Sequence, residues 1–324
     1  MTGVLLSCHS FTDKVVPILY KSDFLLDTVV YPELMNVEDD YVGGKSVLHM
    51  QDRLLLGGAY SQYQLYSYPE LCRLNKMVTF PKNIWTSILD QKLYSYSNGR
   101  FSIHQLDDRD SLVCDSTFSV SGIIPTDFQR IARLNDNTYI FSDFGGENVS
   151  FYLLDLKKRT FNPKGHNLED RSRFKDEEKY QSAYIHKVIV KPDQSAFAEI
   201  YSFCPRVRIY KSSCELIYDI FLDNPPGNNK VVPVEYKDRY VFLGDAMATD
   251  RFIYIVNLAQ KLSELLPKCN LLVLDWNGNL IARYRLDFFI YSSFIEGEDR
   301  SLFGTCWKEP EGFRFFRLKF NHNM

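Results

Sequence analysis

Six aspartates recur in one local setting, an apolar strand, a short polar break that holds the aspartate, and a second apolar run. They stand in QDRLLLGG (Asp52), LDQKLYSY (Asp90), NDNTYIFS (Asp136), PDQSAFAE (Asp193), TDRFIYIV (Asp250) and EDRSLFGT (Asp299). A carboxylate so placed can act as an acid or base, ligate a cation, or accept backbone N–H groups in a turn. Calcium needs oxygens converging within coordination distance. By subtraction these aspartates are 38, 46, 57, 57 and 49 residues apart. The expectation is therefore six scaffold residues, each capping its own turn.

Other reactive residue types lack the company that chemistry needs. GGKS at Gly43–Ser46 resembles the end of a phosphate-binding loop, but the first glycine of that motif would fall on Asp39, and VLHM follows where a helix should start. No GxSxG is present; FSVSG at Phe118–Gly122 only approaches it. The six histidines show neither HxH nor HExxH spacing, and no two of the seven cysteines form a CxxC pair. The expectation is no metal, no cofactor, and for most cysteines a buried free thiol, with Cys114 and Cys306 inside apolar strands. Cys8 is different. Leu5, Leu6 and Ser7 precede it, a string that resembles a bacterial lipobox and makes Cys8 a lipidation candidate followed by the polar tether HSFTDK. The basic segment and most of the apolar one that normally lead a lipobox are missing, so either the start is truncated or misassigned, or Cys8 is an ordinary cysteine. The reading with Met1 as the true start and a cytoplasmic chain stays open.

The elements that must position these residues are strands. Five phrases interleave with the aspartates, each a strand, a polar turn and a strand: YQLYSYPELCRLNKMV, FSIHQLDDRDSLVCDSTFSV, VSFYLLDLKKRTFNPK, VRIYKSSCELIYDIFLD and NLLVLDWNGNLIARYRLD. After Asp299 only FRFFRLKF remains, so the last unit lacks its outer strand. FLLDTVV, Phe24–Val30, is expected to supply it and close the ring, removing an open sheet edge. RFIYIV and NTYIFS are apolar on both faces, as strands sandwiched between neighbouring units must be. The fold class read from this repeat is an all-β, six-bladed β-propeller with blade strands a to d. Residues 1–23 form an N-terminal segment and 24–324 a single propeller domain. Helical periodicity occurs once, in NLAQKLSELLPK.

Composition agrees: 24 Phe and 21 Tyr suit pleated surfaces, and a formal charge of −3 gives no electrostatic footprint for nucleic acid. KPDQSAFA, Lys191–Ala198, resembles the SPDG-type turn of TolB-like propellers. With six copies and a lipobox-like start, the chain resembles the TolB-like six-bladed propeller lipoproteins of Bacteroides and relatives over nearly its whole length, although no copy has glycine after the aspartate. That resemblance implies a fold and an envelope location more than an activity.

In such a blade the a–b and c–d turns share one face, and the b–c and d–a connections share the other. The long segments, 161–182, 222–236 and 257–269, all fall on the second face, where recognition is expected. Trp85, Arg130, His186 and Asp245 from the inner strands, with Trp307 on a b–c loop, are the candidate binding residues. Two function classes stand. One is a non-catalytic, monomeric envelope module that binds a protein, peptide or glycan and meets the membrane only through its lipid. The other is a metal-dependent hydrolase or lactonase with its site in the central channel, for which the inner strands offer mainly Asp245.

Overall fold

The computed structural model describes residues 18–21, 27–29, 33–35, 46–57, 62–79, 85–89, 92–97, 99–122, 130–142, 150–165, 184–222, 238–264, 268–310 and 312–320. Three short strands come first: β1 (Ile18–Lys21), β2 (Asp27–Val29) and β3 (Glu33–Met35). Blade 1 holds β4 (Ser46–Met50), β5 (Arg53–Gly57), β6 (Gln62–Ser67) and β7 (Arg73–Thr79). Blade 2 holds β8 (Trp85–Leu89), β9 (Lys92–Ser97), β10 (Arg100–Leu106) and β11 (Leu112–Ser119). In blade 3 are β12 (Arg130–Asn135), β13 (Thr138–Ser142), β14 (Phe151–Asp155) and β15 (Thr160–Lys164). Blade 4 follows with β16 (His186–Val190), β17 (Ala196–Tyr201), β18 (Arg206–Lys211) and β19 (Leu216–Leu222). Blade 5 comprises β20 (Tyr240–Ala248), β21 (Phe252–Lys261), β22 (Cys269–Asp275) and β23 (Leu280–Leu286). The last blade has β24 (Phe289–Glu296), β25 (Ser301–Lys308) and β26 (Gly312–Lys319).

The inner strands β4, β8, β12, β16, β20 and β24 contact one another in a closed ring. This is an all-β six-bladed propeller, closed by an N-terminal strand on the C-terminal blade. The closing strand is β3, antiparallel to β26 with Leu34 opposite Phe316, and not Phe24–Val30 as the sequence suggested. Asp27–Val29 instead lies parallel to β23 on the rim of blade 5, and Ile18–Lys21, upstream of the expected domain start, lies parallel to β19 of blade 4. The three strands form a belt over consecutive blades. Leu34 packs into the core between blades 5 and 6, and Met35 into that between blades 6 and 1. Glu33–Met35 fits the final position because its two apolar side chains enter the two flanking cores while Glu33 stays exposed.

Each gap between blades is filled by one apolar cluster, because neither face of a blade can be left to water. Phe101, Tyr139 and Phe141 fill the gap between blades 2 and 3, and Ile255, Leu272 and Ile209 that between blades 4 and 5. Strand β17, AFAEIY, is buried at every position. In the described part of the stretch with helical periodicity, Asn257–Lys261 continue β21 and Leu262–Glu264 make a single 3-10 turn. Pairing along the nine-residue β20 overrides a local preference that no tertiary surface supports.

The turn aspartates divide in role. Asp52, Asp136, Asp193, Asp250 and Asp299 lie between a and b strands as expected, while Asp90 is outside the described residues. Among the described a–b turn aspartates, Asp193 is the one that caps its own turn, accepting Ser195 N–H at 2.9 Å and the Ser195 hydroxyl at 2.6 Å. Burial would raise its pKa, yet the hydrogen bonds from Lys191 and Ser195 hold it down at about 2. Asp250 and Asp299 reach the preceding blade instead, accepting Asp193 N–H at 2.9 Å and the Tyr254 hydroxyl at 2.8 Å. Three c–d turns are capped in the same way. Asp107 accepts Arg109 and Ser111 N–H, Asp155 accepts Lys158 N–H, and Asp275 accepts Asn277 and Asn279 N–H. Their sequence signal was a repeated Leu-Asp at the end of strand c.

Candidate functional site

Trp85, Arg130 and His186 are the first residues of the adjacent inner strands β8, β12 and β16, so their backbones share the b–c and d–a face. His186 is buried, with Nδ1 at 3.0 Å from Tyr184 O and Nε2 at 3.7 Å from Glu199 Oε1. Asp245 lies in the middle of β20 and bridges inner strands on both sides. Its Oδ1 meets Lys187 Nζ at 2.6 Å, and its Oδ2 accepts Ser293 N–H at 3.2 Å. Cys8 lies outside the described residues. The other six cysteines are free thiols; Cys269 and Cys306 are buried, but Cys114 is exposed on the outer strand β11, contrary to expectation. Burial pushes the Cys269 thiol up to about 12, so it is inert as a nucleophile.

Trp307 is near the end of β25 rather than in the loop after it, and it is 40% exposed. Strand register sets it opposite Phe289 on one side and Phe313 on the other. A bulge in β24 brings Tyr291 to the same group, 5.0 Å from Phe289 and 6.0 Å from Phe313 by ring centroids. Four half-open rings thus sit at the b–c end of blade 6, held by strands on a rigid sheet. Lys308, paired with Asp287 at 3.1 Å, borders them. An aromatic surface with a charged margin has the make-up of a recognition patch.

Sequence reasoning missed one buried polar cluster and one half-buried one. In blade 4, register lines up Glu199, Arg208 and Asp219 across β17, β18 and β19. Arg206 donates to both Asp219 oxygens, at 2.8 and 2.7 Å, and Arg208 donates to Asp219 at 3.4 Å and to the Tyr201 hydroxyl at 3.1 Å. Tyr210 donates to Glu199 at 2.8 Å. Burial alone would raise the Asp219 pKa, but the two arginines hold it below the usual carboxylate range. The signal was Arg206 and Arg208 alternating with apolar residues in RVRIYK.

The second cluster joins blades 6 and 1. The His49 ring stacks on Phe294 at 4.5 Å, and Tyr68 stands edge-on at 4.8 Å and donates to Glu296, which also accepts from Nε and Nη2 of Arg317. Burial lowers the His49 pKa against a backbone hydrogen bond at Gln51 and the charge of Glu296. Its unfolded imidazole titrates near 6.5, so as pH falls the unfolded chain takes the proton first and stability drops below that value. Between pH 7 and 5 the melting temperature is expected to fall, and to fall less in His49→Gln. Parallel thermal-melt profiles for the two proteins would rule out this coupling.

No family model matches the chain, and no curated protein matches it in sequence. Solved structures do match in fold. A Bacteroides fragilis protein named as exported superposes with a TM-score of 0.57 at 7% identity, covering 94% of this chain and 99% of its own. A luciferin-regenerating enzyme superposes at 0.52 with 10% identity, over 90% and 96% of the two chains. The calcium-binding protein regucalcin of Agrobacterium tumefaciens gives 0.52 at 11%, over 90% and 95%. The likeness is one of fold. The three names span export, catalysis and calcium binding, so activity has to be argued from this chain's own residues.

Proposed function

We propose that this protein is a non-catalytic binding propeller of the cell envelope, of the TolB-like lipoprotein kind, which presents its b–c and d–a face to a protein partner. The observation that carries this reading is the half-open ladder Phe289, Trp307 and Phe313 with Tyr291 beside it. Rings fixed on strands offer large contact area at little cost in side-chain entropy, and Trp and Tyr are the usual anchors of interfaces. A peptide or a glycan would use the same stacking surface. The alternative, a metal-dependent hydrolase or lactonase, would draw on Asp245. That carboxylate is already engaged by Lys187 and two backbone N–H groups, which supports binding over chemistry. In this reading the chain acts as a monomer anchored through an acylated Cys8.

The test is a pull-down from envelope extract with wild type beside Trp307→Ala, together with metal analysis and the intact mass of protein from its native host. A hot-spot tryptophan is worth about 2 kcal/mol or more, so capture is expected to weaken by about 30-fold. The mass is expected to be that of a lipidated chain starting at Cys8; an unmodified chain retaining Met1 removes the anchor from the proposal. Equal capture by both proteins removes the ladder. A stoichiometric calcium or zinc ion, with EDTA-sensitive hydrolysis of esters or lactones, replaces the binding reading with the hydrolase.

A further inference from the structure

The belt shows what the outer edges of this propeller accept. Blades 4 and 5 each take a short parallel strand along the outer side of strand d, four residues on β19 and three on β23. The outer edges of β7, β11 and β15 pair with no described strand. Two of them carry the residues that discourage pairing. Strand β15 has Pro163, which lacks an N–H, and Lys164, while β7 has Arg73 and Lys76.

Strand β11 is less guarded. A bulge sets Asp115 out of register, and Lys92 pairs with it at 3.0 Å. Beyond the bulge, Ser116–Ser119 is a regular four-residue edge with Phe118 37% exposed. At its end a cleft of about 270 Å³ opens between blades 2 and 3, lined by Thr117, Phe118, Val120, Leu154, Leu156 and Arg159. The turn that forms its far side, Lys157, Lys158 and Arg159, is exposed and basic. Arg159 reaches Ser119 O at 3.4 Å, a long contact that an incoming carboxylate can replace with a charge-assisted one.

We propose that this edge docks an extended peptide, which adds as a parallel strand along Ser116–Ser119, sets an apolar side chain in the cleft and places a carboxylate on Arg159. Main-chain hydrogen bonds would supply affinity, and alternate side chains specificity. The belt strands give the geometry, the cleft gives the apolar position, and the basic turn selects an acid. This site is distinct from the blade 6 face and stands or falls separately from it.

The probe is fluorescein-labelled Thr-Val-Thr-Leu-Thr-Glu, in which Leu and Glu point to one side of a strand. Anisotropy is expected to show saturable binding below about 1 mM, the weak range of a short strand. Arg159→Glu, and separately N-methylation of the peptide backbone, are each expected to weaken binding at least tenfold, with Trp307→Ala unchanged. No saturation at 1 mM overturns the proposal, as does binding indifferent to both Arg159→Glu and N-methylation. Self-association of the chain that Phe118→Lys abolishes would make a second copy the occupant, and the peptide reading would fall.

Discussion

Replacing Asp219 by alanine is expected to cost about 3–5 kcal/mol, the range found when one partner of a buried ion pair is removed. The reason is the company it leaves behind. Arg206 and Arg208 are both buried, and Asp219 is the carboxylate that both hydrogen-bond. Glu199 is the other buried acid of the cluster, 4.0 Å from Arg208. Without Asp219 a guanidinium would stay desolvated with too little compensating charge. At roughly 2–4 °C per kcal/mol for a large domain, Tm should fall by roughly 6–20 °C. Asp219→Asn, which keeps the shape and one acceptor, should lose less. Because the folded pKa of Asp219 is depressed, its contribution is present above the unfolded value of 3.8 and is lost as pH falls through the folded one. The gap between wild type and Asp219→Asn should therefore narrow in acid. A loss below about 1 kcal/mol for Asp219→Ala, by denaturant melts, would show that the cluster relaxes to find water or another partner.

The legible part of this fold was its period. An aspartate-marked turn in six copies and a hairpin in five require units that cannot bury their own faces, and this leads to blades without reference to any one residue. What stayed hidden depended on register between segments far apart in sequence. Phe289, Trp307 and Phe313 lie in three strands, and only their pairing makes them a ladder. The choice of Glu33–Met35 over Phe24–Val30 for closure also turned on three-dimensional fit, since both are short, mixed segments. The aspartates taught a finer lesson. Their place in the a–b turns was readable, but whether each oxygen meets its own backbone or a neighbouring blade depends on how blades pack, and Asp250 and Asp299 reach outward.

Deleting the belt in steps should separate strands that cover an edge from the strand that closes the ring. Removal of residues 1–22 strips β1, removal of 1–30 also strips β2, and removal of 1–36 takes β3 as well. The first two deletions uncover one rim edge each and leave the closed ring intact, so modest losses are expected. The third leaves the outer edge of β26 unpaired and opens the two cores that Leu34 and Met35 help to fill. Half-burying each of those side chains is worth about 1–2 kcal/mol, and three cross-strand pairs add about 0.2–1 kcal/mol each, so about 3–7 kcal/mol should disappear at this step. An uncovered β26, with Phe316 in the middle of an unpaired edge, is also a template for pairing with another chain. The third deletion should thus combine a sharp drop in Tm with concentration-dependent aggregation, measured by calorimetry and light scattering. If the protein lacking residues 1–36 stays monomeric and melts with wild type, β3 is a passenger on the rim and the ring is held by its inner strands alone.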